Sequence, residues 1–458
     1  MLLVAGLDLG GSSVKAWVGE VGGGVRCAVT VPTHTSRPAP HRAEWVPAAW
    51  EKACRQALRE VVAAAGEGDW LGVTVSSLRQ GFVLLGADGE ALGNGILNSD
   101  RRGAAYDGVL AGRHALTGHW PAPELTLPKL LCVKAEEPDR WAAVRRVLFV
   151  HDWLLWRLCG VQVTEVSYAC AGGMADVAAR SWASDLLADS GIGVELLAPL
   201  VEAGTVVGEL AEGWALPAQL PVVSGCGDTQ LAAVAAGGLR DGVVTVVAGS
   251  STPIQAATAS PVVDPLERPW VSTHAARDLW AAEGNAGYPG AFSGWWAGLA
   301  GEAAADDPGS VVAVTAAPRW SQQTWQVKPP WSLVGVTTGT TAGQVARALL
   351  ESHAFGVAGG VEDLERALGA PARDLVVTGG GARPLAPVLA QVLGRDVLVA
   401  TDGPASAGTA LVARAVGAHS HVPRLPTLVV PAGDPGSLRP RRDRWLEVTE
   451  ALRAALPE

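Results

Sequence analysis

The stretch LLVAGLDLGGSSVKAWVGEVGGGVRCAVTV, Leu2–Val31, decides the fold. Leu2–Leu9 is almost wholly apolar and reads as a buried strand. Gly10-Gly11-Ser12-Ser13 follows as a tight turn, Val14–Glu20 as a second strand, Gly22-Gly23-Gly24 as another turn and Val25–Val31 as a third strand. Pro47–Ala65 then carries Trp50, Ala53, Ala57 and Val61 on one helical face. Trp70–Ser77 and Phe82–Leu85 return to strand. Three antiparallel strands, a helix and further strand make an α/β pattern with a mixed sheet.

The same unit of buried strand and glycine turn recurs late in the chain. Gly242–Ala248 (GVVTVVA) runs into Gly249-Ser250-Ser251, and Leu375–Thr378 runs into Gly379-Gly380-Gly381. The recurrence points to two related halves that send glycine-rich turns into one cleft. A chain of 458 residues also exceeds one ordinary core. A boundary near Asp241 is expected, giving domains 1–241 and 242–458. Helices are expected over Thr341–Ala358 and Pro384–Leu393, and Asp306–Trp331, which lacks periodicity, reads as loop.

Hydrophobic residues make up 48% and charged ones 17%, which supports large buried cores and argues against disorder. The formal net charge of −10, with no Lys/Arg block, argues against binding to nucleic acid. None of the six cysteines falls in a C-x-x-C pair, so they read as reduced, mostly buried thiols. The start lacks a basic segment and a cleavage site, and no run approaches a membrane span; a cytoplasmic location with no membrane partner is the expectation. Eighteen Trp beside three Tyr and four Phe read as core filling first and as sugar-stacking faces second.

Three places can carry chemistry. The Gly10–Ser13 turn exposes backbone N–H groups as a phosphate would require, or is a plain hairpin turn. Asp8, at the end of the buried first strand, needs a partner, either a water-bound Mg²⁺ or the turn N–H groups. Asp228, in Ser224-Gly225-Cys226-Gly227-Asp228-Thr229-Gln230, sits at a strand-to-helix junction, either as a helix cap or as a functional carboxylate whose flanking glycines admit another molecule. Gly379-Gly380-Gly381 offers a flat backbone surface for a planar base, or turns a strand into a helix. There is no H-E-x-x-H and no G-x-S-x-G.

Taken in order, these segments resemble the FGGY family of carbohydrate kinases. The resemblance runs from GLDLGGSSVKAWV (Gly6–Val18) through SSLRQGFVLLGADGEALGNGILNSDRR (Ser76–Arg102), LPKLLCVKAEEPDRW (Leu127–Trp141) and HDWLLWRLCGVQVTEVSYACAGGMADV (His151–Val177). It continues through GCGDTQLAAVAAG (Gly225–Gly237), TVVAGSSTPI (Thr245–Ile254), EGNAG (Glu283–Gly287), ARALLE (Ala346–Glu351), TGGGAR (Thr378–Arg383) and ASAGTALVARAVG (Ala405–Gly417).

The resemblance implies two actin-like (ribonuclease H-like) domains with an interdomain cleft, and ATP-dependent phosphorylation of a small sugar or polyol. It implies that Asp228 is the catalytic base and that Asp8 orients Mg²⁺ through water. Arg79, Gln80 and Asp100, with Asp228, would contact the substrate; Asn98 stands where the family's tryptophan-x-aspartate stretch has tryptophan. Gly11, Ser12, Ser13, Lys15, Gly249, Ser250 and Ser251 would hold phosphates, and Gly379, Gly380, Gly381 and Ala382 the adenosine. The second phosphate loop reads Gly-Ser-Ser-Thr where relatives often have Gly-Thr-Ser-Gly, with the hydroxyl kept at Ser250. Asp306–Trp331 holds no copy of the proline- and Gly-Glu-Arg-containing stretch that many relatives carry. Rival readings are a catalytically silent sugar- or nucleotide-sensing protein of the same fold and an ATPase without sugar acceptor. Oligomeric state stays open, with a homodimer as one candidate.

Overall fold

The computed structural model describes residues 1–301, 304–305, 307–316, 331–400, 403–418, 424–426 and 428–455. The chain forms two compact units. Unit 1 comprises Met1–Ala235, Val271–Trp280 and Pro404–Pro423; unit 2 comprises Ala236–Trp270, Ala281–Gly403 and Arg424–Glu458.

In unit 1 the opening stretch folds as its pattern demands. β1 (Leu2–Leu9), β2 (Ser13–Glu20) and β3 (Val25–Pro32) form an antiparallel meander, with Asp8 opposite Lys15. α1 (Pro47–Ala65) crosses β2 and β3; Pro47 opens it, where a missing N–H costs nothing. Its buried face includes all four expected residues, Trp50, Ala53, Ala57 and Val61. Trp50 and Trp153 both pack on Trp45, with ring centroids 4.8 and 4.9 Å away, so tryptophans fill this core. β4 (Asp69–Ser77) then runs parallel to β1, and β5 (Phe82–Leu85) leaves for a smaller sheet. β6 (Val206–Glu209) and β7 (Pro221–Gly227) complete the main sheet in the order β6-β7-β4-β1-β2-β3.

In unit 2 the strands β8 (Val243–Val247), β9 (Pro253–Thr258), β10 (Trp280–Asn285), β13 (Asp374–Thr378), β14 (Val397–Val399) and β15 (Val429–Val430) run in the order β10-β9-β8-β13-β14-β15. β11 (Val312–Val314) and β12 (Ser332–Val334) pair antiparallel beside it. The loop expected over Asp306–Trp331 is therefore corrected at Val312–Val314, whose two β-branched valines find a partner strand; residues 306 and 317–330 lie outside the described residues.

The helix expected over Thr341–Ala358 runs to Leu368, opened by a capping box between Thr341 and Gln344. Gly359-Gly360 does not stop it. A Cβ at Gly360 would sit 2.4 Å from Ile254 Cδ1, so the glycine is there to let this helix lie close on β9.

The segment Pro404–Ala415, remote in sequence, is a helix packed on unit 1 beside β1, β4 and β7. Trp17, Val223 and Val412 form its apolar contact. The Trp17 ring occupies the space left by two glycines: a Cβ at Gly6 or Gly408 would lie 2.0 or 2.6 Å from it. None of the described helices is long and apolar enough to cross a membrane.

Candidate active site

β1, β4 and β7 are adjacent and parallel, so their C-terminal ends fall on one edge of the unit 1 sheet. The residues that follow, Gly10, Leu78–Gln80 and Asp228, emerge together there. Ligands of α/β proteins characteristically bind at such an edge.

Asp8 lies half-buried on that edge, opposite Ser76 on one side and Lys15 on the other. Ser76 Oγ donates a 2.9 Å hydrogen bond to its Oδ1. Burial, and then the nearby Asp228 charge, push the Asp8 carboxyl up to about 6, against the smaller opposing effects of Ser76 and Lys15. The two expected carboxylates are thus brought within electrostatic reach of each other.

Asp228 is half-buried and opens an eight-residue helix, Asp228–Ala235. Its Oδ1 accepts from the Thr229 backbone N–H at 2.7 Å and from Thr229 Oγ1 at 3.2 Å. Both bonds come from the residue that follows it, at the junction of strand and helix, and they orient the carboxylate there.

The pairing of β7 with β4 shifts register between Ser224 and Gly227, a bulge that re-aims the strand end. The glycines flanking Cys226 serve this chain's own packing: a Cβ at Gly225 would meet the Val75 carbonyl at 2.0 Å, and one at Gly227 would meet the Arg79 stem at 3.0 Å. Arg79 thereby lies next to Asp228.

Around these residues are groups that the sequence reading did not single out. Tyr168 accepts the Ser77 N–H at 3.0 Å on its hydroxyl, and its ring stacks on His151. His119, fully buried, bonds the Thr117 carbonyl through Nδ1 at 2.9 Å. Burial, helped by the charges of His114 and Arg79, drives it down to about 3, so it is neutral. Glu165 is also buried, and burial pushes it up to about 8; Ser167 Oγ and N–H donate to it. Gln80, already expected from the resemblance, is buried with φ +66°, and its carbonyl accepts from Thr126 and Lys129, which were not. A lone Lys inside the apolar run Leu127–Val133 was the one legible signal among these.

Asp100 is wholly buried. Its oxygens accept from the backbone N–H groups of Ala43 and Arg102 and from Arg102 Nε and Nη2, at 2.6 to 3.0 Å. Burial would raise its carboxyl, but these bonds outweigh it and hold the group below the usual carboxylate range. Arg102, 1% exposed, also reaches Glu44 at 2.7 Å. Asp100→Ala leaves buried Arg102 Nε and the Ala43 N–H without this acceptor and is expected to cost about 3 kcal/mol of stability, read by urea unfolding.

The Gly10–Ser13 turn is a hairpin, closed by Gly10 N–H to the Ser13 carbonyl at 2.9 Å. Gly11 and Ser12 are exposed, Ser13 is half-buried and Lys15 projects outward from β2.

In unit 2, β8 and β13 are parallel neighbours, with Val247 opposite Thr378, so the two glycine turns that follow stand side by side. Gly249 and Ser250 are exposed and Ser251 is half-buried. Gly379 has φ +93°, and a Cβ there would meet the Ala248 carbonyl at 2.7 Å. Gly380 faces open space, Gly381 donates to the Ala248 carbonyl at 3.0 Å, and Ala382 is buried as the first residue of the helix Ala382–Leu393. Behind the first turn, Thr252 Oγ1 bonds buried His353 Nε2 at 2.8 Å.

Among the described residues no group of three or more His, Cys, Asp or Glu could hold a metal ion. A Mg²⁺ ion needs only one or two carboxylates when phosphates complete its shell. Asp8 and Asp228, two carboxylates on one sheet edge, fit that requirement.

Known proteins bear on this site. Residues 3–235 match the N-terminal domain of the FGGY family of carbohydrate kinases, and residues 266–416 its C-terminal domain. The xylulose kinase of Klebsiella pneumoniae is 28% identical over 426 residues, 87% of this chain and 86% of that protein. The xylulose kinase of Escherichia coli K12 is 27% identical over 421 residues, 87% of this chain and 86% of that one. The crystal structure of xylulose kinase from Rhodospirillum rubrum superimposes with a TM-score of 0.82 at 27% identity, covering 99% of both chains. With the family's two domains matched in order on an actin-like fold, the chain belongs to the FGGY family of carbohydrate kinases and is a sugar kinase.

Proposed function

We propose that the enzyme transfers the terminal phosphoryl group of ATP to a hydroxyl of a small ketose or polyol, with Asp228 as general base. The observation that carries this reading is the meeting of Asp8, Arg79 and Asp228 at the ends of three parallel strands. Phosphoryl transfer goes through a loose transition state, so positioning and charge neutralisation supply most of the rate. Asp228, oriented by Thr229, holds the acceptor hydroxyl and takes its proton late in the transfer. Arg79 and Gln80 contact the acceptor's other hydroxyls. Asp100 we assign to holding Arg102, since its oxygens are already engaged.

Backbone N–H groups and hydroxyls of Gly11, Ser12, Ser13, Gly249, Ser250 and Ser251 serve the phosphates, with Lys15 adding charge. The Gly379–Gly381 turn and the Ala382 backbone carry the adenosine. Asp8 holds Mg²⁺ through water, and the ion when bound neutralises phosphate charge.

The relatives named as xylulose kinases favour a five-carbon ketose as acceptor. The test is ADP release with D-xylulose, D-ribulose, L-ribulose, tetritols, glycerol and gluconate. A ketose is expected to raise ADP release at least tenfold over the acceptor-free rate. A rate equal for every acceptor and for none would reject the reading.

A further inference from the structure

Five non-glycine residues among those described have positive φ, and of these Gln80 alone is buried. A left-handed conformation at a residue with a Cβ is unfavourable and persists only where the surroundings impose it. At Gln80 the surroundings are identifiable. Its carbonyl accepts from Thr126 Oγ1 at 3.1 Å and from Lys129 Nζ at 2.9 Å. The same ammonium donates to the Leu97 carbonyl at 2.8 Å. Thr126 and Lys129 stand three residues apart on the helix Thr126–Glu136 and so share a face.

Lys129 is 0% exposed, and its ammonium lies 5.8 Å over the Phe82 ring. A buried ammonium is costly, and a methionine of similar length would fill the same space without that cost. The charge is retained where it ties two carbonyls together. Burial drives the ammonium down to about 7, against Asp100 and Glu124, which raise it, and with Arg102, which lowers it further.

We propose that Lys129 is a positioning residue for acceptor recognition: by clamping the carbonyls of Gln80 and Leu97 it fixes the left-handed turn that aims the Arg79 and Gln80 side chains. The proposal rests on reading those two residues as acceptor contacts. Lys129 itself touches no substrate, and its effect travels through the backbone of residue 80.

The test is Lys129→Met in the full chain. Expected are a rise of at least tenfold in KM for the best acceptor, less than twofold change in KM for ATP, and faster deuterium exchange in the peptide covering residues 78–85. A merely structural role would move both KM values together and spread the exchange through unit 1; that result overturns the proposal, as does an unchanged acceptor KM. In a Gln80→Gly background, where glycine takes the left-handed turn unaided, Lys129→Met is expected to add less than a threefold further change; a full tenfold addition counts against it.

If Lys129→Met does not fold, Thr126→Val removes the other side-chain bond to the same carbonyl. It should raise acceptor KM about threefold and speed the same peptide's exchange, and no change in either overturns the clamp. If the wild type turns over no acceptor, the proposed function fails. The exchange experiment still judges Lys129 on its own, with unaltered protection of residues 78–85 as the negative result.

Discussion

Asp228→Ala is expected to lower turnover by roughly 10²–10⁴, the usual contribution of a positioned base. The side chain stands at the end of β7, where the register shift and Thr229 fix its direction. The loss should fall on kcat, because the base acts on the proton of an already bound hydroxyl. Binding of an ATP analogue, followed by calorimetry, should persist.

Asp228→Asn adds a second readout. The Asp228 charge is one cause that raises Asp8, so removing it should bring Asp8 down from about 6. The acid limb of kcat/KM for ATP, expected near pH 6 in the wild type, should then move to lower pH in the residual activity. Near-normal turnover in Asp228→Ala with nucleotide binding intact would take Asp228 out of the mechanism.

Asp8→Asn is expected to cost at least 10² in kcat/KM for ATP while stabilising the protein at neutral pH. The sign follows from the titration. Asp8 binds its proton more tightly in the folded state, at about 6 against an ordinary 3.8. Its contribution to stability is therefore full below pH 3.8 and is lost as pH rises through about 6. Asparagine stays neutral and can accept the Ser76 hydrogen bond, so it escapes this loss. The gain should be absent at pH 3.5 and reach a plateau above pH 6.5. Its ceiling is about 3 kcal/mol, reduced by the solvent access that Asp8 keeps. Thermal unfolding in EDTA at several pH values measures it. A stability difference between the two proteins that does not change with pH would contradict the electrostatic account of this edge.

Much of this was legible in the sequence because the decisive segments are local. Leu2–Val31 alternates apolar runs with glycine turns, and such runs pair with their neighbours whatever follows. The face of Pro47–Ala65 is set by its 3.6-residue period and is buried as the period requires. Asp8 stood out as a candidate because a carboxylate ending an apolar strand is an expensive place for a charge, and Asp228 because it sits at a glycine-flanked strand-to-helix junction that matches the family's stretch.

What was hidden depends on contacts remote in sequence. Glycine at 359 and 360 looks like a stop, and only the nearness of Ile254 shows it to be a packing site. The return of Pro404–Ala415 to unit 1 depends on a gap that Gly6 and Gly408 leave for Trp17, which no linear pattern encodes. Asp100 was named through the family resemblance alone, and its bonds to Arg102, which also carries Glu44 from far upstream, join segments that no local pattern connects. Lys129 was visible as an isolated charge, but its role depends on the conformation of Gln80.

The most direct measurement is ³¹P NMR of a reaction containing enzyme, ATP, Mg²⁺ and the best ketose of the panel. ADP is expected to appear together with an equal amount of a sugar phosphate monoester, and both should fall at least a hundredfold with Asp228→Ala. ADP accompanied by inorganic phosphate alone, or a monoester formed equally well by the variant, would contradict transfer to a sugar hydroxyl by Asp228.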